Sequence, residues 1–173
     1  MRQAEPLPAS GGFWRRLRRS FPSRAETVYG APLWGAAMSL SALLALCLRI
    51  RTETFNLDII LVLFFAGGLI AWPLSLLTAR LVANGRGLET RLAAAFLILT
   101  LCTVMVTAGL FALQYRLFYA QWHAPFGTVT WMFQFVFTSA SAVYQFLVMG
   151  LGLYLPLGFV VLAGTSLWLA RRI

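Results

Sequence analysis

The sequence predicts an all-α integral membrane protein: a four-helix transmembrane bundle, with an N-terminal amphipathic interfacial helix and an aromatic interfacial or re-entrant segment before the last span. Three observations predict it. Of 173 residues, 60% are apolar and 11% charged, whereas a water-soluble domain carries about a quarter charged residues. The charges are gathered into short clusters, leaving residues 27–48, 59–79, 92–115 and 117–170 with none. Those stretches do not alternate polar with apolar residues, which suits helices that satisfy their own backbone in lipid and not barrel strands. High hydropathy excludes a disordered chain, and two cysteines exclude a disulfide scaffold.

Residues 1–26 form a basic segment. Ser10 is placed to cap a helix near residues 11–21 that ends before Pro22. At 100° per residue Phe13, Trp14, Leu17 and Phe21 share one face, and Arg15, Arg16, Arg18 and Arg19 cover the other. This is the pattern of a surface anchor on an anionic leaflet. Leu44-Ala45-Leu46-Cys47 resembles a lipoprotein box only faintly, because a bulky Leu stands before the cysteine where a small residue is needed. The first apolar stretch is therefore read as a retained span.

Residues 27–173 form the transmembrane domain, with spans at about 31–48, 59–79, 92–115 and 146–170. A hydrocarbon core about 30 Å thick takes roughly 20 helical residues, so each of the first three stretches holds one span. The fourth is longer. Its first half contains Gln121, His123, Pro125, Gly127, Gln134 and Gln145, and reads as a loop followed by an interfacial segment at about 128–142. Its second half reads as the last span, bent near Pro156 and the neighbouring Gly150, Gly152 and Gly158. A five-span alternative turns at Met149–Gly152. All 14 basic residues are Arg, and arginine marks the cytoplasmic side of short loops. Four spans with an inner N-terminus leave only Arg49, Arg51 and Arg116 outside. Five spans move Arg171 and Arg172 outside as well, so four are preferred. The expected location is a bacterial inner membrane with both ends cytoplasmic.

Small residues set helix contacts in lipid, which supplies no hydrophobic drive of its own. Ala37, Ser41 and Ala45 line one face of the first span at spacing four; Gly67, Ala71 and Ser75 line one face of the second. The two stripes are expected to meet. Twelve of the 25 aromatics fall between Phe111 and Phe146, where packing and a belt at head-group level account for most of them, the Tyr and Trp residues above all. Trp122, Phe126, Trp131, Phe133, Phe135 and Phe137 are the candidate surface for a partner or lipid, the last three at a period of two that matches no helical face.

Chemistry is sparse. His123 is the only histidine, Cys47 and Cys102 lie in different spans, and the five acids Glu5, Glu26, Glu53, Asp58 and Glu89 all lie outside spans or at their edges. There is no carboxylate pair, nucleophile set or phosphate loop, so no catalytic, cofactor or metal site and no nucleic-acid partner is expected. Arg49, Arg51, Glu53, Asp58, Arg116 and His123 share the outer side as loop charges able to meet an anionic head group. The expectation is a non-enzymatic accessory subunit of a membrane assembly. It would contact anionic lipid at the cytoplasmic leaflet and a membrane protein or a second copy of itself. The alternative is a small homo-oligomeric transporter or lipid-binding protein with a path along Thr103, Thr107, Tyr144 and Gln145.

Overall fold

The computed structural model describes residues 20–49 and 56–172. Phe13, Trp14, Arg15, Arg16, Leu17, Arg18 and Arg19, which carry the expected surface anchor, lie outside the described residues, as do Arg51 and Glu53. The described residues are mostly helical and contain no strand. Four helices are long and apolar enough to cross a membrane, which makes this a multi-pass membrane protein.

Helix α1 spans Arg24–Leu48. Its start is closed by a capping box: the Ser23 hydroxyl accepts from the Glu26 amide at 3.2 Å, and the Glu26 carboxylate accepts from the Ser23 amide at 2.9 Å. Phe21 lies just ahead in a non-helical bend and is 59% exposed. Helix α2 spans Leu57–Ala83. Asp58 sits in its first turn, where a carboxylate complements the helix dipole, while Asn56 holds the cap position. A turn at Asn84–Gly87, with Gly85 at φ 78°, reverses the chain; only glycine takes that conformation without strain. Helix α3, Leu88–Tyr119, follows and tightens into a 3₁₀ turn at Ala120–Trp122.

The chain after α3 divides differently from the expected interfacial segment at 128–142 and span at 146–170. Thr128 caps helix α4, Val129–Gln145, by accepting from the Trp131 amide at 3.1 Å. That helix does not stop before residue 146. It widens into a π turn at Phe146–Gly150 and then narrows into a 3₁₀ turn at Leu151–Tyr154. The fourth long apolar run is thus Val129–Tyr154. A cis Leu155–Pro156 bond separates it from helix α5, Leu157–Arg172. At 1.5 Å per residue α5 is about 24 Å long, short of a full hydrocarbon core. Polarity along 117–145 suggested a boundary near 145, but glutamines and serines are tolerated along one side of a continuing helix.

Helices α1, α2 and α3 run up and down as neighbours, and α5 completes the bundle by packing between α1 and α3. Two core clusters fill it. One contains Ala31, Trp34, Met38, Trp72, Leu76, Ala79, Ala95, Leu99 and Leu169. The other contains Ala42, Ala45, Leu46, Phe64, Ala108, Phe146 and Leu153. Leu169 lies with Ala31, Ala79 and Ala95, and Arg80 pairs with Glu26 at 2.8 Å. The start of α1, the end of α5 and the α2–α3 turn therefore share one end of the bundle. Reporter fusions at the two chain ends are expected to read the same side of the membrane; opposite readings would contradict this arrangement.

Candidate functional site

The interruption between α4 and α5 lies inside the bundle, where the two core clusters meet. Tyr154 packs against both. A helix broken within lipid leaves backbone donors and acceptors that water cannot reach, so such breaks persist only where protein partners take over or a cavity is lined. Here the partners are side chains of α1. The Ser41 hydroxyl donates to the Leu153 carbonyl at 3.2 Å and accepts from the Gly158 amide at 2.8 Å, bridging the two sides of the break. About two turns further along, at the end of α1, Arg49 donates to the Gly152 carbonyl at 3.2 Å.

Two more polar contacts tie the surroundings together. Trp34 donates from Nε1 to Thr103 Oγ1 at 3.1 Å, and the Tyr154 hydroxyl donates to Thr107 Oγ1 at 2.8 Å. Thr107 returns its own proton to the Thr103 carbonyl at 2.7 Å, and Thr100 does the same to Phe96. The threonine stripe is thus spent on helix packing and ring anchoring. Beside it lies a cleft of about 220 Å³. Trp34 and Met38 of α1, Thr103 of α3, and Tyr154, Leu155 and Phe159 around the break form its walls. Its lining is largely apolar, with Thr100, Thr103 and Tyr154 as the hydroxyl-bearing residues. Among the described residues no group of His, Cys, Asp and Glu is placed to hold a metal.

The path proposed along Thr103, Thr107, Tyr144 and Gln145 is not assembled. The threonines are buried, whereas Tyr144 and Gln145 are exposed. The small-residue stripes are also distributed differently. Helices α1 and α2 approach closely at Gly35 and Gly68, where a Cβ built on Gly68 would stand 2.8 Å from the Gly35 Cα. Ser41 faces the interrupted segment, Ala45 joins the second core cluster, and Ala37 borders a groove toward α5. Gly67 is turned to Thr107 of α3, and Ala71 and Ser75 are fully buried.

The aromatic run resolves into two faces. Trp131 and Phe135 stack at 5.5 Å, with the Arg116 guanidinium 5.1 Å and 4.1 Å from their centroids and Phe126 at 4.5 Å from Trp131. Phe133 and Phe137 occupy another face and are 61% and 67% exposed; Trp122 is exposed as well. A period of two on a helix is thus two overlapping i, i+4 pairs. His123 Nε2 lies 3.3 Å from Thr138 Oγ1, and Gln134 accepts from the Ala124 amide at 2.8 Å, so these polar residues pin the loop to α4. Arg49, Arg116 and His123 each engage a different partner and form no common site; the ion pair present among the described residues is Glu26–Arg80.

The residues that sequence reasoning passed over are Trp34 and Tyr154. Pro156 with its neighbouring glycines marked the bend, but nothing local pointed to Ser41 as the group that spans it. Comparison with protein-family models, curated proteins and solved structures finds no match to this chain.

Proposed function

We propose that the protein is a non-enzymatic accessory subunit of a bacterial inner-membrane assembly, with both chain ends cytoplasmic, and that α4 is its contact surface. The observation that carries this reading is how little α4 buries. It packs on α3 and on the segment that follows it, and Ala142 is its single buried residue, against eight in α1 and nine in α2. Helices in lipid hold together by close packing and interhelical hydrogen bonds. A helix so weakly held by its own chain, with Met132, Phe133, Val136 and Phe137 exposed, is open to a neighbour's helix. The expected membrane anchor is the basic N-terminal segment on anionic head groups.

A second reading, a lipid-binding protein, is favoured by the apolar cleft at the helix interruption. One experiment separates the two. Affinity purification from native membranes in mild detergent is expected to bring along a second membrane protein. Phe133→Ala combined with Phe137→Ala is expected to release it. Protein recovered alone, with stoichiometric extractable lipid, would favour the second reading and count against the first.

A further inference from the structure

The seam between α1 and α5 is not closed. A groove of about 340 Å³ runs along it. Its floor is aromatic: Trp34 and Trp72 are 4% and 5% exposed, and their rings lie 5.7 Å apart. Leu33 and Ala37 of α1 and Val161, Gly164 and Thr165 of α5 form its walls. A Cβ on Gly30 would strike the Trp72 indole, whereas one on Gly164 meets nothing within 4 Å. Trp168 of α5 forms the wall nearest the helix end, and the Arg172 guanidinium sits 4.2 Å over its ring.

The charge at that end is one-sided. Among the described residues Arg24, Arg80, Arg86, Arg91, Arg171 and Arg172 face Glu26 and Glu89, and Glu26 is engaged by Arg80. Arg171 and Arg172 are both exposed. Stacking on Trp168 occupies the face of the Arg172 guanidinium and leaves its edge, which carries the N–H donors, for an oxyanion. An occupant must therefore be a narrow apolar chain below and an anion at the rim.

We propose that the groove between α1 and α5 seats one acyl chain of an anionic phospholipid from the leaflet at the arginine-rich end, its phosphate held at Arg172 and Arg171. The chain lies against the indoles of Trp34, Trp72 and Trp168, and the phosphate accepts charge-assisted hydrogen bonds at the mouth. A zwitterionic lipid fits the same groove but brings a cation to a rim that is already positive. This site is separate from the α4 surface and stands or falls independently of the accessory-subunit reading.

The test uses the full chain reconstituted in phosphatidylcholine vesicles, with tryptophan emission quenched by acyl-chain-brominated lipid. Brominated phosphatidylglycerol is expected to reach half-quenching at about a fivefold lower mole fraction than brominated phosphatidylcholine, the scale of one arginine near a charged surface. Arg171→Gln with Arg172→Gln should remove that difference without disturbing the buried packing. Gly164→Leu should fill the groove and lower quenching by both lipids. Equal half-quenching fractions in the unaltered protein would overturn the proposal. So would a headgroup preference that survives in folded G164L protein, since general enrichment of anionic lipid around the bundle would then account for it. Absence of quenching by either lipid, with a helix of a second copy or a partner in the groove, would overturn it as well. Should G164L fail to fold, the arginine pair alone decides.

Discussion

Ser41→Ala is expected to lower the thermal stability of the detergent-solubilised protein more than any other single hydroxyl removal. The Ser41 hydroxyl is fully buried and bonded to backbone on both sides of the helix interruption, the Leu153 carbonyl and the Gly158 amide. Alanine leaves both groups without that partner at a fully buried position. Each unsatisfied buried group costs about 1–3 kcal/mol, so a total loss of about 2–6 kcal/mol is expected. The control is Ser39→Ala. Ser39 donates once, to the Leu61 carbonyl at 3.0 Å, and is only partly buried, so its removal should cost about 1 kcal/mol. Circular-dichroism melts of the two variants make the comparison. Equal midpoints would mean that the break is held by packing alone and that Ser41 is incidental to it.

Gly68→Leu is expected to open the seam between α1 and α2. The added Cβ would stand 2.8 Å from the Gly35 Cα and 3.1 Å from the Gly35 nitrogen and the Trp34 carbonyl oxygen. All three are backbone atoms of a neighbouring helix, so no rotamer change relieves the contact. Forced overpacking of this kind costs about 3 kcal/mol, and the separation would also disturb the Trp34–Trp72 ring pair. The matched control is Gly109→Leu, because a Cβ on Gly109 meets nothing within 4 Å. Recovery of monodisperse protein and its unfolding midpoint are the readouts. The seam would have to be assigned elsewhere if both variants melted together.

Much of the architecture is legible in the chain because a bilayer punishes misplaced charge. Arg49, Asp58, Arg80, Arg91 and Arg116 bracket the apolar runs that become α1, α2 and α3, and each of these helices extends beyond its run into the flanking polar residues. The contact faces were less legible. Glycine, alanine and serine at spacing four occur on several faces of α1, and only the crossing geometry selects Gly35 against Gly68 and turns Ser41 the other way. Phe133, Phe135 and Phe137 were ambiguous for a related reason: a composition count cannot say which of two faces a neighbouring helix will cover.

What the sequence by itself determined is which segments are helical and apolar enough to lie in lipid, since that depends on composition over some 20 residues and on the cost of charge. Tertiary structure alone decided that Ser41 and Arg49 close the break that Pro156 marked, and that α1 and α5 stay parted over the tryptophans. These outcomes depend on hydrogen bonds between residues 103–117 positions apart. No local pattern encodes such pairs; they exist only once the helices have been packed against one another.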